Sequence, residues 1–214
     1  MFAPPRHERL VDATLRLLDI VGAAILLVVL SPLLLLIALC VKRDSPGPVI
    51  YRQRRVGLRE EPFRVAKFRT MRADADAGRH RAHVEAILAA ANRGSEPMEK
   101  LQDDDRVTRI GAFLRRTSLD ELPQLWNVLR GEMSLVGPRP PIQYEVDRYP
   151  REVFARFAVR PGITGLWQVS GRSTLTFQEM VTLDVEYVER RSLGLYLKIL
   201  ILTLPTVIHG RGAA

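Results

Sequence analysis

The chain has 214 residues, 47% hydrophobic and 26% charged, which excludes a disordered polypeptide and fits one domain. Its single cysteine, Cys40, excludes an intrachain disulfide and a stapled secreted fold. Lys and Arg number 32 against 24 Asp and Glu, for a net charge of +8, and only Lys42, Lys67, Lys100 and Lys198 are lysines; an excess made of arginine suits a phosphorylated partner, whether nucleotide, anionic lipid or nucleic acid.

In chain order, the first feature is an uncharged run from Ile20 to Val41, closed by Lys42-Arg43. It is long enough to cross a hydrocarbon core of ~30 Å. Ser31-Pro32 stands at its middle, where the proline ring clashes with the carbonyl one turn back and kinks or breaks a helix. Each half is then ~14–17 Å long at 1.5 Å per residue. Both flanks are basic, with Arg6, Arg9 and Arg16 before and Lys42, Arg43, Arg52, Arg54 and Arg55 after, so charge asymmetry gives no orientation for a span. A helix-break-helix returning to one face and a kinked spanning helix both fit.

Asp44-Ser-Pro-Gly-Pro48 is a turn-rich exit. Residues 49–56 and 63–70 read as two strands of a hairpin joined by 57–62. Ala73–Asn92 reads as a solvated helix, and Arg109–Arg116 and Leu119–Leu129 as further helices, the second with Leu122, Leu125, Trp126 and Leu129 on one face. Gly137-Pro-Arg-Pro-Pro141 is a rigid loop, and 159–173 is rich in Gly and turn residues. Thr176–Arg191 reads as a helix. Leu193–Ile208, apolar but marked by Lys198 and Pro205, suits either a core helix or one lying in the headgroup boundary.

Ser118-Leu-Asp-Glu121 has two readings. It matches a capping box, with Ser118 as N-cap and Glu121 reaching back. It also places adjacent acids at a helix start just after Arg115 and Arg116, an arrangement suited to phosphoryl transfer with Mg²⁺. The arginines of the hairpin suit an anionic lipid surface. His80 and His83 lack a third ligand nearby, Asp103-Asp-Asp105 reads as an acidic loop, and neither a Walker A nor a dinucleotide fingerprint is present.

Several motifs occur together in order: the Ser31-Pro32 break, Lys67-Phe-Arg-Thr-Met71, Arg106-Val-Thr-Arg-Ile-Gly111, the run from Leu114 to Leu129 that contains Asp120-Glu121, Met133-Ser-Leu-Val-Gly-Pro-Arg-Pro140, Arg160-Pro-Gly-Ile-Thr-Gly165, Gly171-Arg172 and Leu183-Asp-Val185. From about residue 12 to 208 the chain resembles the bacterial sugar transferases, the monotopic phosphoglycosyl transferases. The sequence departs from that pattern at Glu186, where an aromatic is frequent, and at Tyr196, where an acid is frequent.

The resemblance implies an α/β fold: a compact membrane-associated domain with a re-entrant helix-break-helix at residues 1–43, a small β-hairpin and several interfacial amphipathic helices in a catalytic unit at 44–214. It implies transfer of a sugar 1-phosphate from a UDP-sugar to polyprenyl phosphate, with release of UMP, at the cytoplasmic face of a bacterial inner membrane. Asp120 would be the nucleophile, forming a covalent phosphosugar intermediate, with Glu121 its partner and Mg²⁺ near Asp120. Lys67, Arg69, Arg115, Arg139, Arg160, Arg172 and Asp184 match family positions near the phosphates or supporting the site. Many relatives carry additional N-terminal membrane helices, so this chain resembles the minimal catalytic unit. Trp167-Gln-Val-Ser-Gly-Arg172 leans toward members that use glucose or galactose. The expected partners are the UDP-sugar, the lipid phosphate and the bilayer, without nucleic acid. The alternative is a membrane-anchored basic protein that binds anionic lipid or nucleic acid without catalysis.

Overall fold

The structure is a computed structural model that describes residues 6–72, 106–171 and 174–208. The helix expected over Ala73–Asn92, His80, His83 and Asp103–Asp105 lie outside the described residues. The remainder is a mixed α/β fold, mostly helical, with one small antiparallel hairpin.

Helix α1 (Arg6–Val29) is followed after Leu30 by α2 (Ser31–Asp44). The two segments Leu10–Val29 and Ser31–Asp44 bend by 64°. Pro32 falls in the first turn of α2, where a missing N–H costs nothing and the fixed φ already suits the helix. Ser31 Oγ donates to the Val28 carbonyl at 2.7 Å and closes the inside of the bend. Among the described residues, no single helix is long and apolar enough to cross a membrane.

Strands β1 (Ile50–Val56) and β2 (Pro62–Phe68) pair antiparallel from Ile50↔Phe68 to Val56↔Pro62. Asn127 anchors the outer edge of β2: its side-chain oxygen accepts from Ala66 N at 3.0 Å and its amide donates to Arg64 O at 2.8 Å. Helix α3 (Arg109–Thr117) and helix α4 (Gln124–Arg130) follow. A second sheet, absent from the sequence reading, pairs β3 (Ser134–Val136) in parallel with β4 (Gly162–Thr164). The Gly-Pro-Arg-Pro and Arg-Pro-Gly loops lie backbone to backbone at its end. A Cβ on Gly162 would stand 2.0 Å from Gly137 N, so only glycine permits the approach. Four further helices, α5 (Gln143–Val146), α6 (Leu166–Ser170), α7 (Phe177–Glu189) and α8 (Leu193–Ile208), complete the described chain. Thr176 and Glu179 form a capping box at the start of α7.

The main core draws Leu15 and Ala23 from α1, Val65 from β2, Leu125 and Val128 from α4, and Tyr196 and Ile199 from α8. Helix α8 therefore combines the two readings: one face is in the core, while Leu197, Ile201 and Leu204 are exposed. Trp126, expected on the inner face with Leu125, is 56% exposed. The Tyr196 departure also finds its partner, because its hydroxyl donates to Asp19 Oδ1 at 2.7 Å. The same buried oxygen accepts from Ser134 Oγ at 2.9 Å and Leu135 N at 2.7 Å. One carboxylate thus joins α1, β3 and α8.

Asp19→Ala leaves three buried donors without an acceptor and should cost at least about 3 kcal/mol, whereas Tyr196→Phe should cost about 1 kcal/mol. Thermal unfolding of detergent-solubilised protein, at roughly 2–4 °C per kcal/mol for a chain of this size, checks both. Equal shifts for the two variants would contradict the shared-acceptor role of Asp19.

A candidate phosphoryl-transfer site

Helix α3 is started by Thr108, whose Oγ1 accepts from Gly111 N at 3.0 Å. A Cβ at Gly111 would lie 2.0 Å from Thr70 O, so glycine lets α3 press onto the end of the hairpin. Arg115 Nε then donates to Thr70 Oγ1 at 3.0 Å. Arg115 and Arg116 occupy the last turn of α3, where cations suit the negative end of the helix.

The dyad does not sit in the first turn of a continuous 119–129 helix. Ser118 adopts the left-handed conformation, φ 57°, and its N–H caps the carbonyls at the end of α3. Its side chain makes no capping bond, so the capping-box reading fails. Leu119–Glu121 form a 3-10 turn, and α4 begins only at Gln124. The physical reason is Pro123: it has no N–H to continue an α-helical ladder. The chain instead closes i→i+3 bonds, Leu122 N to Leu119 O and Trp126 N to Pro123 O, at 3.3 and 3.1 Å. The tight turn buries Asp120 and leaves Glu121 half-buried. Lys67, on the inner face of β2, reaches Glu121 Oε1 at 2.7 Å. The structure therefore sets Lys67 of the hairpin against the Asp120-Glu121 turn, while Arg115, at the end of the preceding helix, holds Thr70.

A second charged cluster lies behind the Gly137–Pro141 loop. Arg139 Nη1 is 3.1 Å from Glu145 Oε2. Asp184 is fully buried. Its Oδ2 accepts from Arg139 N at 3.2 Å and from Arg156 Nη2 in a short ion pair. Burial pushes the Asp184 carboxyl up to about 6, against the pull of Arg156 and the Arg139 N–H. Arg156, missed by the sequence reading, also donates to Arg139 O and to Tyr149 Oη, each at 2.8 Å. Its only signal was an arginine among Val153, Phe154 and Phe157. Asp184 and Arg156 thus shape the loop that carries Arg139. Arg55 closes the loop's other side: its Nη1 donates to Pro140 O at 3.0 Å. Burial lowers the Arg55 guanidinium to about 10, so it stays charged at neutral pH.

Two of the arginines matched to family positions near the phosphates or supporting the site hold backbone. Arg69 is 6% exposed and donates to Pro48 O, Ser45 O and Ser45 Oγ at 2.5, 2.6 and 2.9 Å, fixing the exit of α2. Arg160 Nε donates to Gly131 O at 2.8 Å, at the end of α4 away from the dyad. Arg172 lies outside the described residues. Arg52, Arg54 and Arg64 are exposed on the hairpin face opposite Lys67, with Arg54 and Arg64 directly across from each other.

The family model for bacterial sugar transferases matches residues 11–210. The chain is 45% identical over 199 residues to the galactosyl transferase CpsE of Streptococcus agalactiae, covering 92% of this chain and 43% of that protein. It is 43% identical over 206 residues to the UDP-glucose:undecaprenyl-phosphate glucose-1-phosphate transferase of Caulobacter vibrioides, covering 92% and 71%. It is 42% identical over 198 residues to the exopolysaccharide production protein ExoY of Rhizobium meliloti, covering 92% and 87%. The chain thus spans less than half the length of CpsE and most of the length of the other two. A match that runs through the bent helix pair, the hairpin, the dyad turn and both glycine loops places this chain in the bacterial sugar transferase family.

Proposed function

We propose that the protein transfers a sugar 1-phosphate from a UDP-sugar to polyprenyl phosphate and releases UMP, as an early step in exopolysaccharide or glycoconjugate assembly. The observation that carries this reading is the Asp120-Glu121 turn with Lys67 on Glu121 at 2.7 Å. The ion pair gives the two acids different tasks. Lys67 holds Glu121 in place, and Asp120 supplies the nucleophilic oxygen. That oxygen attacks the β-phosphorus of the UDP-sugar, the bond from phosphorus to the bridging oxygen breaks, and UMP leaves with the electron pair. An oxygen of polyprenyl phosphate then attacks the same phosphorus, the acyl phosphate bond breaks, and the Asp120 carboxylate is restored. Lys67, and Arg115 just upstream of the dyad turn, would neutralise charge on the transferring group.

Among the described residues there is no group of three or more metal-ligating side chains. Two adjacent carboxylates are a donor set that suits Mg²⁺, which takes one or two carboxylates and completes its shell with substrate phosphates and water. Asp120, with Glu121 beside it, would hold the ion. When bound, it would supply positive charge to the diphosphate oxygens.

The membrane reading has separate support. Neither helix of the N-terminal pair is by itself both long and apolar enough to cross a membrane, and the two are bent by 64°. Exposed Ile25, Val28, Leu35 and Leu36 near the break suit a hydrocarbon environment, and Arg16, Lys42 and Arg43 stand at the two ends of the uncharged run inside the pair. Exposed Phe113 and Trp126, on the helices before and after the dyad turn, suit the headgroup boundary. A re-entrant pair would hold the site at the cytoplasmic interface of the inner membrane, where a soluble nucleotide and a lipid phosphate both reach it.

Asp120→Asn keeps shape and removes the anion, so UMP release should fall by more than about a thousandfold while the protein stays folded. Mass spectrometry of acid-quenched enzyme with UDP-sugar and Mg²⁺, but no lipid acceptor, should show a sugar-phosphate adduct on the peptide containing Asp120. UMP formed only in the presence of polyprenyl phosphate, with no adduct, would instead mean direct transfer. For topology, cysteines placed beside Arg16 and Arg43 in a Cys40→Ala background should both label from the cytoplasmic side, and Pro32→Ala should move a fraction toward spanning. Periplasmic labelling beside Arg16 in the parent would rule out re-entry.

A further inference from the structure

The β1–β2 register sets Tyr51 directly across from Lys67. Residues so paired project to one face of the hairpin, with Cβ atoms roughly 4.5–5.5 Å apart. Lys67 Nζ is 2.7 Å from Glu121, which adjoins Asp120. Tyr51 therefore stands across the strand from the lysine that grips Glu121 of the dyad. It is 52% exposed, so core packing does not account for it.

Gln53 is the next residue of β1 on the same face, roughly 7 Å along the strand. Its Oε1 accepts from Arg55 Nε at 3.2 Å and from Arg55 Nη2 at 2.7 Å. A guanidinium only donates, so the amide oxygen faces Arg55 and the NH₂ group is turned the other way. Arg55 is itself fastened to Pro140 O. The face thus presents a flat aromatic surface with a hydroxyl at its edge, followed by an oriented pair of amide donors.

We infer that this face, Tyr51 with Gln53, is the subsite for the hexose of the donor, and that Tyr51 governs which C4 epimer is accepted. The inference rests on the proposed reaction and adds where its sugar sits. In a UDP-sugar the hexose is bonded directly to the phosphorus that Asp120 attacks. The nucleobase is a ribose and a second phosphate further away. The hairpin face from which Lys67 reaches the dyad therefore meets the hexose. A hexose offers an apolar C–H face and a rim of hydroxyls, which matches an aromatic ring flanked by a phenol and an amide. Relatives named for galactose and for glucose differ in substrate only at C4, so a small number of hydroxyl contacts must decide between them.

The test uses the full chain in detergent or vesicles, with UDP-glucose, UDP-galactose and a wider panel of UDP-hexoses. Tyr51→Ala should lower kcat/KM for the preferred hexose by about 10- to 100-fold. Tyr51→Phe, which keeps the ring and so protects folding, should change the ratio between the preferred hexose and its C4 epimer by about five- to tenfold. Inhibition by UDP, which lacks the hexose, should be unchanged in both. Weaker UDP inhibition together with equal losses on both epimers would place the nucleobase on Tyr51 and overturn the inference. Loss of vesicle binding, with catalysis retained, would make Tyr51 a membrane contact and overturn it as well, as would unaltered kinetics in both variants. A parent protein inert toward every UDP-sugar would overturn the proposed reaction itself, an outcome visible before any variant is made.

Discussion

The attachment of α1 to the rest of the chain is the constraint on which the other features depend. It is made by polar side chains as well as by packing. Arg16 donates to Val128 O and Leu129 O at 2.8 and 3.1 Å, satisfying carbonyls that the end of α4 leaves without helical partners. Three residues later, Asp19 gathers donors from β3 and α8. Arg16 and Asp19 lie on one side of α1 with Leu15, Leu18 and Ala23, which enter the main core. The apolar N-terminal helix is thereby part of the same packed unit as the helix that follows the dyad. Displacing α1 would pull on α4 from its C-terminal end.

The arginine excess divides into groups with different physical roles. Arg16, Arg69 and Arg160 satisfy carbonyls at chain turns and helix ends. Arg55, Arg139 and Arg156 brace the Gly137–Pro141 loop. Lys67 pairs with Glu121 of the dyad, and Arg115 holds Thr70 at the end of the hairpin. A lysine could not replace the bracing residues, because their planar forks bridge two or more acceptors at fixed angles. Net charge alone would assign all of them to an anionic ligand.

The buried charges also show why the loops are rigid. Asp184 and Arg156 are both fully buried, and a lone charge there would cost several kcal/mol. Each finds the other, and the backbone of Arg139 takes part through its N–H and its carbonyl. Gly137 and Gly162 remove the side chains that would hold the two loops apart. Backbone contact and buried ion pair together fix where Arg139 points.

Local chemistry made much of the protein legible in its sequence. The Ser31-Pro32 break, the hairpin with its alternating Lys67, the helix that starts at Thr176 and the acidic pair at 120–121 are written in residues a few positions apart. Proline's missing N–H, strand alternation and side-chain capping act over that range. The Glu186 departure is likewise local, answered by an ion pair with Arg190 one turn later. The turn around Asp120 is hidden in the sequence, because the apolar period of a helix runs unbroken through Pro123. The β3–β4 pairing joins segments 28 residues apart in a parallel sense that strands of three residues scarcely advertise. The partners of Arg16, Asp19 and Asp184 stand far from them in sequence, and only packing chooses among the many acceptors or donors that each could reach. Sequence by itself determined the family, the dyad and the break in the apolar run. Tertiary structure decided which charged groups face the dyad and which hold backbone, because that assignment depends on which distant carbonyl each guanidinium meets once the core has closed.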